Sequence, residues 1–234
     1  DYNRRPWCRK HVWNSQAYDT VLKKMVMAGA NQAEVDSHFY VYDPDKADWV
    51  SRHKGAGVVV SSHVIQLRNT KRGMLAWYGP AWLLDTKAME WKSIAVQGKM
   101  PGAGVDSSGL VYDPKRDRML FLTCGGYAKP YDGQIYALDM TTLKAATLDP
   151  EGMTPAKNWS MFLREAAYHP GSDMFLWNAP LTKGGWDGKK IPDMYPAYDA
   201  ARNRWVAIKI PGGFKGDVSC GMVYDAKRDL LWAG

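Results

Sequence analysis

Several things are missing from this chain of 234 residues, and each absence removes a class of protein. No run approaches the roughly 20 apolar residues of a membrane-spanning helix. The longer apolar stretches, such as Met119 to Thr123, have the length of single strands. Cysteine is scarce: Cys8, Cys124 and Cys220 are the only three, and none forms a C-x-x-C pair. That excludes a disulfide framework and leaves buried free thiols as the plain reading. The odd count leaves at least one of them unpaired within the chain.

Catalytic and cofactor signatures are missing too. The five histidines (11, 38, 53, 63 and 169) show no short ligand spacing, so no metal site is expected. There is no G-x-S-x-G elbow for a serine nucleophile, and Gly102-Ala103-Gly104 is too short for a phosphate cradle. No cofactor is expected. A dense Lys/Arg run is lacking, which disfavours nucleic acid. The net charge of +7 is spread along the chain and favours an anionic partner, such as an acidic polysaccharide or a membrane surface. The chain shows no signal peptide and begins at Asp1 rather than Met, so a processed or trimmed product is expected.

What the chain has in abundance is large aromatics, 11 Trp and 13 Tyr, which favours strands over helices. They recur in a pattern: an alternating apolar strand ending in Tyr-Asp, a polar turn, then a second apolar strand. It reads NSQAYDTVLKKMVM from Asn14, SGLVYDPKRDRMLFL from Ser108, REAAYHPGSDMFL from Arg164 and CGMVYDAKRDLLW from Cys220. A degenerate copy runs from His63 to Ala76. This alignment makes Tyr18, Leu67, Tyr112, Tyr168 and Tyr224 equivalent, 45 to 56 residues apart, with an apolar residue seven positions after each.

A second pattern alternates with the first: a strand, an Asp, a short turn, then Trp six residues after the Asp. Asp43 pairs with Trp49, Asp85 with Trp91 and Asp199 with Trp205; the copy at Asp139 has Ala145 instead. Each unit therefore holds two hairpins. A lone four-stranded sheet leaves apolar faces wet, so such units stack face to face.

With Gly125-Gly126 after the second strand, the Tyr-Asp turn and the Asp-to-Trp spacing, the chain resembles kelch repeats, whose period is near 50 residues. The style of the repeats is similar to that of bacterial exported kelch proteins and of the central domain of galactose oxidase. The resemblance covers the chain from about His11. It departs at Gly29 and Gly79, which stand alone, and at Asn178-Ala179, where the glycine pair is missing. The resemblance implies an all-β fold: a β-propeller of four-stranded antiparallel blades around a channel. About four and a half blades are expected, at roughly 11–55, 56–100, 101–152 and 153–212, with a half blade at 213–234. Residues 1–10 are an N-terminal segment or a closing strand. Since this is fewer blades than such rings usually hold, further blades are expected from a longer chain or a partner chain. An extracytoplasmic location is expected on the same resemblance.

Hairpin order separates two rims. The short, similar turns within hairpins share one rim, where Asp caps the turn through its own backbone and Trp packs between sheets. The long, dissimilar connections share the other, including 96–107, 125–133, 149–163, 178–196 and 211–219. Variable loops on a regular scaffold are where binding usually sits. Four positions before each Tyr equivalent, around the channel mouth, fall Asn14, His63, Ser108, Arg164 and Cys220, with His11 just upstream. The loops add Tyr127, Trp159 and Trp186, whose faces suit sugar stacking.

Two functions follow as expectations. The first is a binding module for carbohydrate, acidic polysaccharide above all, through Asn14, His63, Ser108, Arg164, Tyr127, Trp159 and Trp186. The second is a carbohydrate-active enzyme such as a polysaccharide lyase. There His63 or His11 would be the base, a channel tyrosine the acid, and Arg164 the clamp that neutralises a uronate carboxylate. A protein-interaction scaffold stands behind both. The copper-radical chemistry known on this fold is not expected, because Tyr168-His169 falls in a hairpin turn on the opposite rim.

Overall fold

A computed structural model of the protein describes residues 15–28, 38–54, 66–77, 80–100, 110–122, 134–152, 166–177, 182–183, 189–191, 193–213 and 222–233. These residues form strands joined by turns, with no helix among them long and apolar enough to cross a membrane.

The hairpins come from the local sequence. In all eight hairpins that have a four-residue turn, an Asp (His169 in one) closes the first strand, and its side chain accepts backbone N–H groups two or three residues on. Asp19 Oδ1 takes the N–H of Val21 and Leu22 at 2.8 and 2.9 Å. Asp85, Asp139 and Asp225 do the same in their turns. Four residues after the Asp the chain turns left-handed: φ lies between 48 and 57° at Lys23, Ala47, Met89, Asp117, Leu143, Asp173, Asn203 and Asp229. Asp and Asn tolerate that region best among residues with a side chain.

Four antiparallel sheets result. The first holds β1 (Gln16–Asp19), β2 (Lys24–Ala28), β3 (His38–Asp43) and β4 (Asp48–Lys54). The second holds β5 (Gln66–Thr70), β6 (Gly73–Trp77), β7 (Ala81–Asp85) and β8 (Glu90–Ile94). The third holds β9 (Val111–Asp113), β10 (Arg118–Leu122), β11 (Ile135–Asp139) and β12 (Ala145–Leu148). The fourth is built on β14 (Ala166–His169), β15 (Met174–Trp177), β18 (Met194–Asp199) and β19 (Arg204–Lys209), with β13 (Glu151–Gly152) added at its outer edge. A small ribbon of β16 (Thr182–Lys183) and β17 (Lys189–Lys190) stands within the β15–β18 connection. The chain closes with the hairpin β20 (Met222–Asp225) and β21 (Leu230–Ala233), paired among the described residues only with each other.

The sheets are blades of a propeller-like arc. The first strands pack in succession, β1 on β5, β5 on β9, β9 on β14 and β14 on β20, which makes them the inner edge. Four buried clusters each straddle two neighbouring blades. Val26 and Phe39 of the first meet Leu67, Met74 and Trp91 of the second. Leu75 and Trp77 meet Met119 and Phe121. Val111 and Leu120 meet Phe175, Trp177 and Trp205. Ala167 and Leu176 meet Met222 and Leu231. The core is thus a series of face-to-face contacts, as stacking of half-wet sheets requires.

Two features depart from the sequence reading. In the second blade Asn69, not Leu67, stands opposite Met74, and Thr70 faces Gly73 across the two-residue turn Lys71-Arg72. The other copies pair Tyr with the residue seven on, so the alignment of the degenerate copy moves by two. Thr70 takes the role of the Asp there, its Oγ1 accepting the N–H of Arg72 at 3.1 Å. The position four before the true equivalent is therefore Ile65 rather than His63.

The second feature is a strap. Residues after one blade cross the outer edge of the next: β13 pairs parallel with β19, and Gln97 bridges Lys144 in the same sense. Both crossings use Gly with positive φ, at Gly98 and Gly152. A Cβ there would stand 2.4 Å from the Ala145 carbonyl oxygen and 2.5 Å from that of Trp205. The signal was present as Q-G-x-x-P and E-G-x-x-P, at 97–101 and 151–155.

Candidate functional site

At the rim of short turns the ionisable groups are consumed by structure. The densest cluster joins the third and fourth blades. Arg116 Nη1 and Nη2 hold both oxygens of Asp173 at 3.0 and 2.7 Å, and Lys115 Nζ adds a third contact at 2.9 Å. Arg116 also holds Asp113 of its own turn, and Arg118 Nε does so at 2.9 Å. Tyr168 Oη donates to Asp173 Oδ1 at 3.0 Å. The Arg116 hydrogen bonds hold the Asp173 carboxyl well below the usual carboxylate range. Burial, then the bond to Asp173, pushes the Tyr168 phenol up to about 12. Burial and the bond to Asp117 do the same to Tyr112. Every charge in this cluster has its counter-charge, so the cluster locks the two blades together.

The same holds in the other turns. Lys24 Nζ reaches Asp43 Oδ2 at 2.8 Å. Lys92 reaches Asp85 and draws its carboxyl down to about 2. Arg202 and Arg204 hold Asp199. The exception is Asp19: its Oδ2 is buried and meets no hydrogen-bond partner among the described residues. At the turn positions of Arg116 and Arg118, that hairpin has Leu22 and Lys24, and Lys24 is committed to Asp43.

Tyr168-His169 takes its expected structural place. His169 Nδ1 accepts the Ser172 N–H at 3.1 Å, and Nε2 lies 3.3 Å from Asp229 of the next blade. Two further histidines lie on the outer half of the first blade. His38 Nδ1 is 3.0 Å from Arg52 Nη2. His53 Nε2 is 2.8 Å from Ser51 Oγ and its ring stacks on Phe39 at 5.0 Å. Burial pushes His53 down, which keeps it neutral at pH 7. A neutral imidazole beside a hydroxyl can take its proton, but among the described residues no carboxylate pairs with His53 to orient it. No group of three or more His, Cys, Asp or Glu that could hold a metal ion is found among the described residues.

The opposite rim carries the long connections. His11, Asn14, His63, Ser108, Tyr127, Trp159, Arg164 and Trp186 all lie outside the described residues, as do the three cysteines. The structure places their neighbours. Ser15, next to Asn14, is fully buried, and its carbonyl accepts the Ala28 N–H at 2.9 Å. Leu110, two residues after Ser108, is fully buried at the start of β9.

One residue of the inner wall escaped the sequence reading. Arg68 is the only Lys or Arg on the described inner strands. Its Nε donates to the Leu110 carbonyl and its Nη1 to the Leu67 carbonyl, each at 2.7 Å. Arg68 is the middle residue of β5, so its half-buried guanidinium sits within the inner wall and ties β5 to the start of β9. A corrected register was needed to find it, because the two-residue slip hid where Arg68 stands. Compared with known proteins, the chain matches no protein-family model and no curated protein.

Proposed function

We propose that this protein is a kelch-type propeller that binds carbohydrate, acidic polysaccharide in particular, at the rim of long loops and the adjoining channel mouth. The observation that carries this reading is the asymmetry of the two rims. One is made of near-identical turns whose carboxylates and cations satisfy one another. The strands' other ends lead into every long connection. The net charge of +7 suits an acidic ligand there. Asn14, Ser108 and Arg164 supply the polar contacts in this proposal, and Tyr127, Trp159 and Trp186 the stacking faces. An extracytoplasmic setting fits such a ligand.

The test is a panel of acidic and neutral polysaccharides, scored for protein retention and for ultraviolet absorbance of the supernatant. Retention without a new chromophore is the expected result. Rising absorbance from unsaturated uronate would identify a lyase instead, with His11 as the candidate base. Neither signal from folded protein would overturn both carbohydrate readings. Trp186→Ala should weaken retention about tenfold while the melting temperature stays unchanged; a large fall in melting temperature would place that side chain in the core.

A further inference from the structure

Charge pairing at the rim of short turns is complete where the third blade meets the fourth, and it stops short on the inner turns of the first two blades. The inner turns capped by Asp or His can be compared position by position. Four residues after the cap stand Asp117, Asp173 and Asp229, but Lys23 in the first blade, with φ of 55°. A lysine fits the left-handed region less well than Asp does. Two residues after the cap stand Lys115, Gly171 and Lys227, but Val21 in the first blade. Val21 is 67% exposed. A missing neighbour does not explain that exposure. β1 packs on β5 of the following blade, and the turn itself is tied there, Asn69 Nδ2 donating to Thr20 Oγ1 at 3.0 Å. Leu22, by contrast, packs on the core that the two blades share.

The second blade's turn departs in the same direction. It carries Lys71 and Arg72 at its tip, both exposed, with Thr70 in place of the capping Asp. The Lys71 N–H donates to Tyr112 Oη of the third blade at 3.1 Å, so this turn is held between its neighbours. Arg72 Nη1 donates to the Met140 carbonyl. Among the described residues no carboxylate is paired with Lys23 or Lys71. The acids around them are buried or occupied. Asp19 is fully buried, Asp43 holds Lys24, and Asp117 accepts Tyr112 Oη and Thr141 Oγ1. Two adjacent turns thus present an aliphatic tip and the exposed cations Lys23, Lys71 and Arg72, with no exposed carboxylate of their own.

We propose that these two turns seat the protein on an anionic lipid surface, Val21 entering the headgroup boundary while Lys23, Lys71 and Arg72 meet the lipid phosphates. The combination of side chains selects that partner. An apolar residue flanked by cations gains from an anionic bilayer through both. An acidic polysaccharide would use the cations and leave Val21 in water. The contact is peripheral, and it turns the rim of long loops away from the lipid, open to its own ligand. The inference is independent of what that ligand is.

Vesicle flotation of the full chain tests it, with vesicles of phosphatidylcholine alone and of equal parts phosphatidylcholine and phosphatidylglycerol. The protein should float with the second kind and not with the first, less so in high salt. Each cation at such a surface is worth about fivefold in partition, so Lys23→Asp/Lys71→Glu should lose at least about tenfold. Lys23→Asp installs the residue already present at 117, 173 and 229, so that turn should fold. Val21→Ser should lose severalfold although it alters no charge. Lys209→Glu, at the long-loop end of β19, changes the net charge as much as Lys23→Asp and should float like the wild type. The proposal falls if folded wild type ignores the anionic vesicles, or if Lys209→Glu loses as much as Lys23→Asp. It also falls if Val21→Ser floats undiminished; the turns then collect anions by charge alone, and an acidic polysaccharide becomes their partner.

Discussion

At the scale of the residue, the left-handed position in each turn decides how well the hairpin is held. Where it is Asp or Asn, the tyrosine five residues earlier donates to it: Tyr112 to Asp117 at 2.6 Å, Tyr198 to Asn203 at 2.7 Å and Tyr224 to Asp229 at 2.7 Å. Where it is Ala47, Tyr42 has no such acceptor in its own turn, and a non-glycine side chain holds φ of 50°. Ala47→Asn should therefore stabilise the protein by about 0.5–1.5 kcal/mol, read as a shift in denaturant midpoint at constant slope. Burial, together with such bonds, sets a pH dependence. Tyr112 and Tyr168 rise to about 12 from an ordinary 10.0. A folded value above the unfolded one means a contribution fully present below pH 10 and lost as pH climbs toward 12. Phenolate absorbance of the native protein should lag that of the denatured chain across this window. Coincident titration curves would mean these hydroxyls are neither buried nor held by their aspartates.

At the scale of the element, the straps were not seen in the sequence although the repeated Gly was there. Two residues of parallel pairing are too short to show alternation, and they pair with a strand some 50 residues downstream, Glu151 with Arg204. Only the close approach of Gly152 to the Trp205 carbonyl shows why glycine is needed. Gly152→Ala would place a methyl 2.5 Å from that oxygen at φ of 88°. It should cost about 1–3 kcal/mol, measured by denaturant unfolding. An unchanged midpoint would mean the strap is not seated on β19. The degenerate second blade misled for a related reason. A two-residue turn closed by Thr70 and Gly73 has neither the Asp nor the spacing of its neighbours, so counting from Leu67 ran two residues out of step.

At the scale of the whole molecule, stability comes from the contacts between blades, and their value depends on which blade supplies them. Trp91 and Trp49 are the same residue of the same motif. Trp91 is buried between the first two blades, its ring edge-on to Phe39 at 5.7 Å. Trp49 lies on the backward face of the first blade, partly buried against Met27 and Tyr40 of its own sheet. Trp91→Ala should cost about 3–5 kcal/mol, and Trp49→Ala clearly less, by chemical denaturation. Equal losses would mean that the two faces are covered alike.

What the chain determined by itself is periodic and local. Asp capping its own turn, Trp six residues later and the two-residue alternation each rest on contacts within about ten residues, so they can be read off the order of side chains. The succession of four-stranded units and the separation of short turns from long connections followed from that. What only the tertiary structure decided is what neighbouring blades do to one another. Arg116 bridging to Asp173, Gly152 under Trp205 and Arg68 on the Leu110 carbonyl each depend on a partner 42 or more residues away. A sequence repeats its turns whether or not another blade stands beside them. Burial and charge pairing depend on which faces meet.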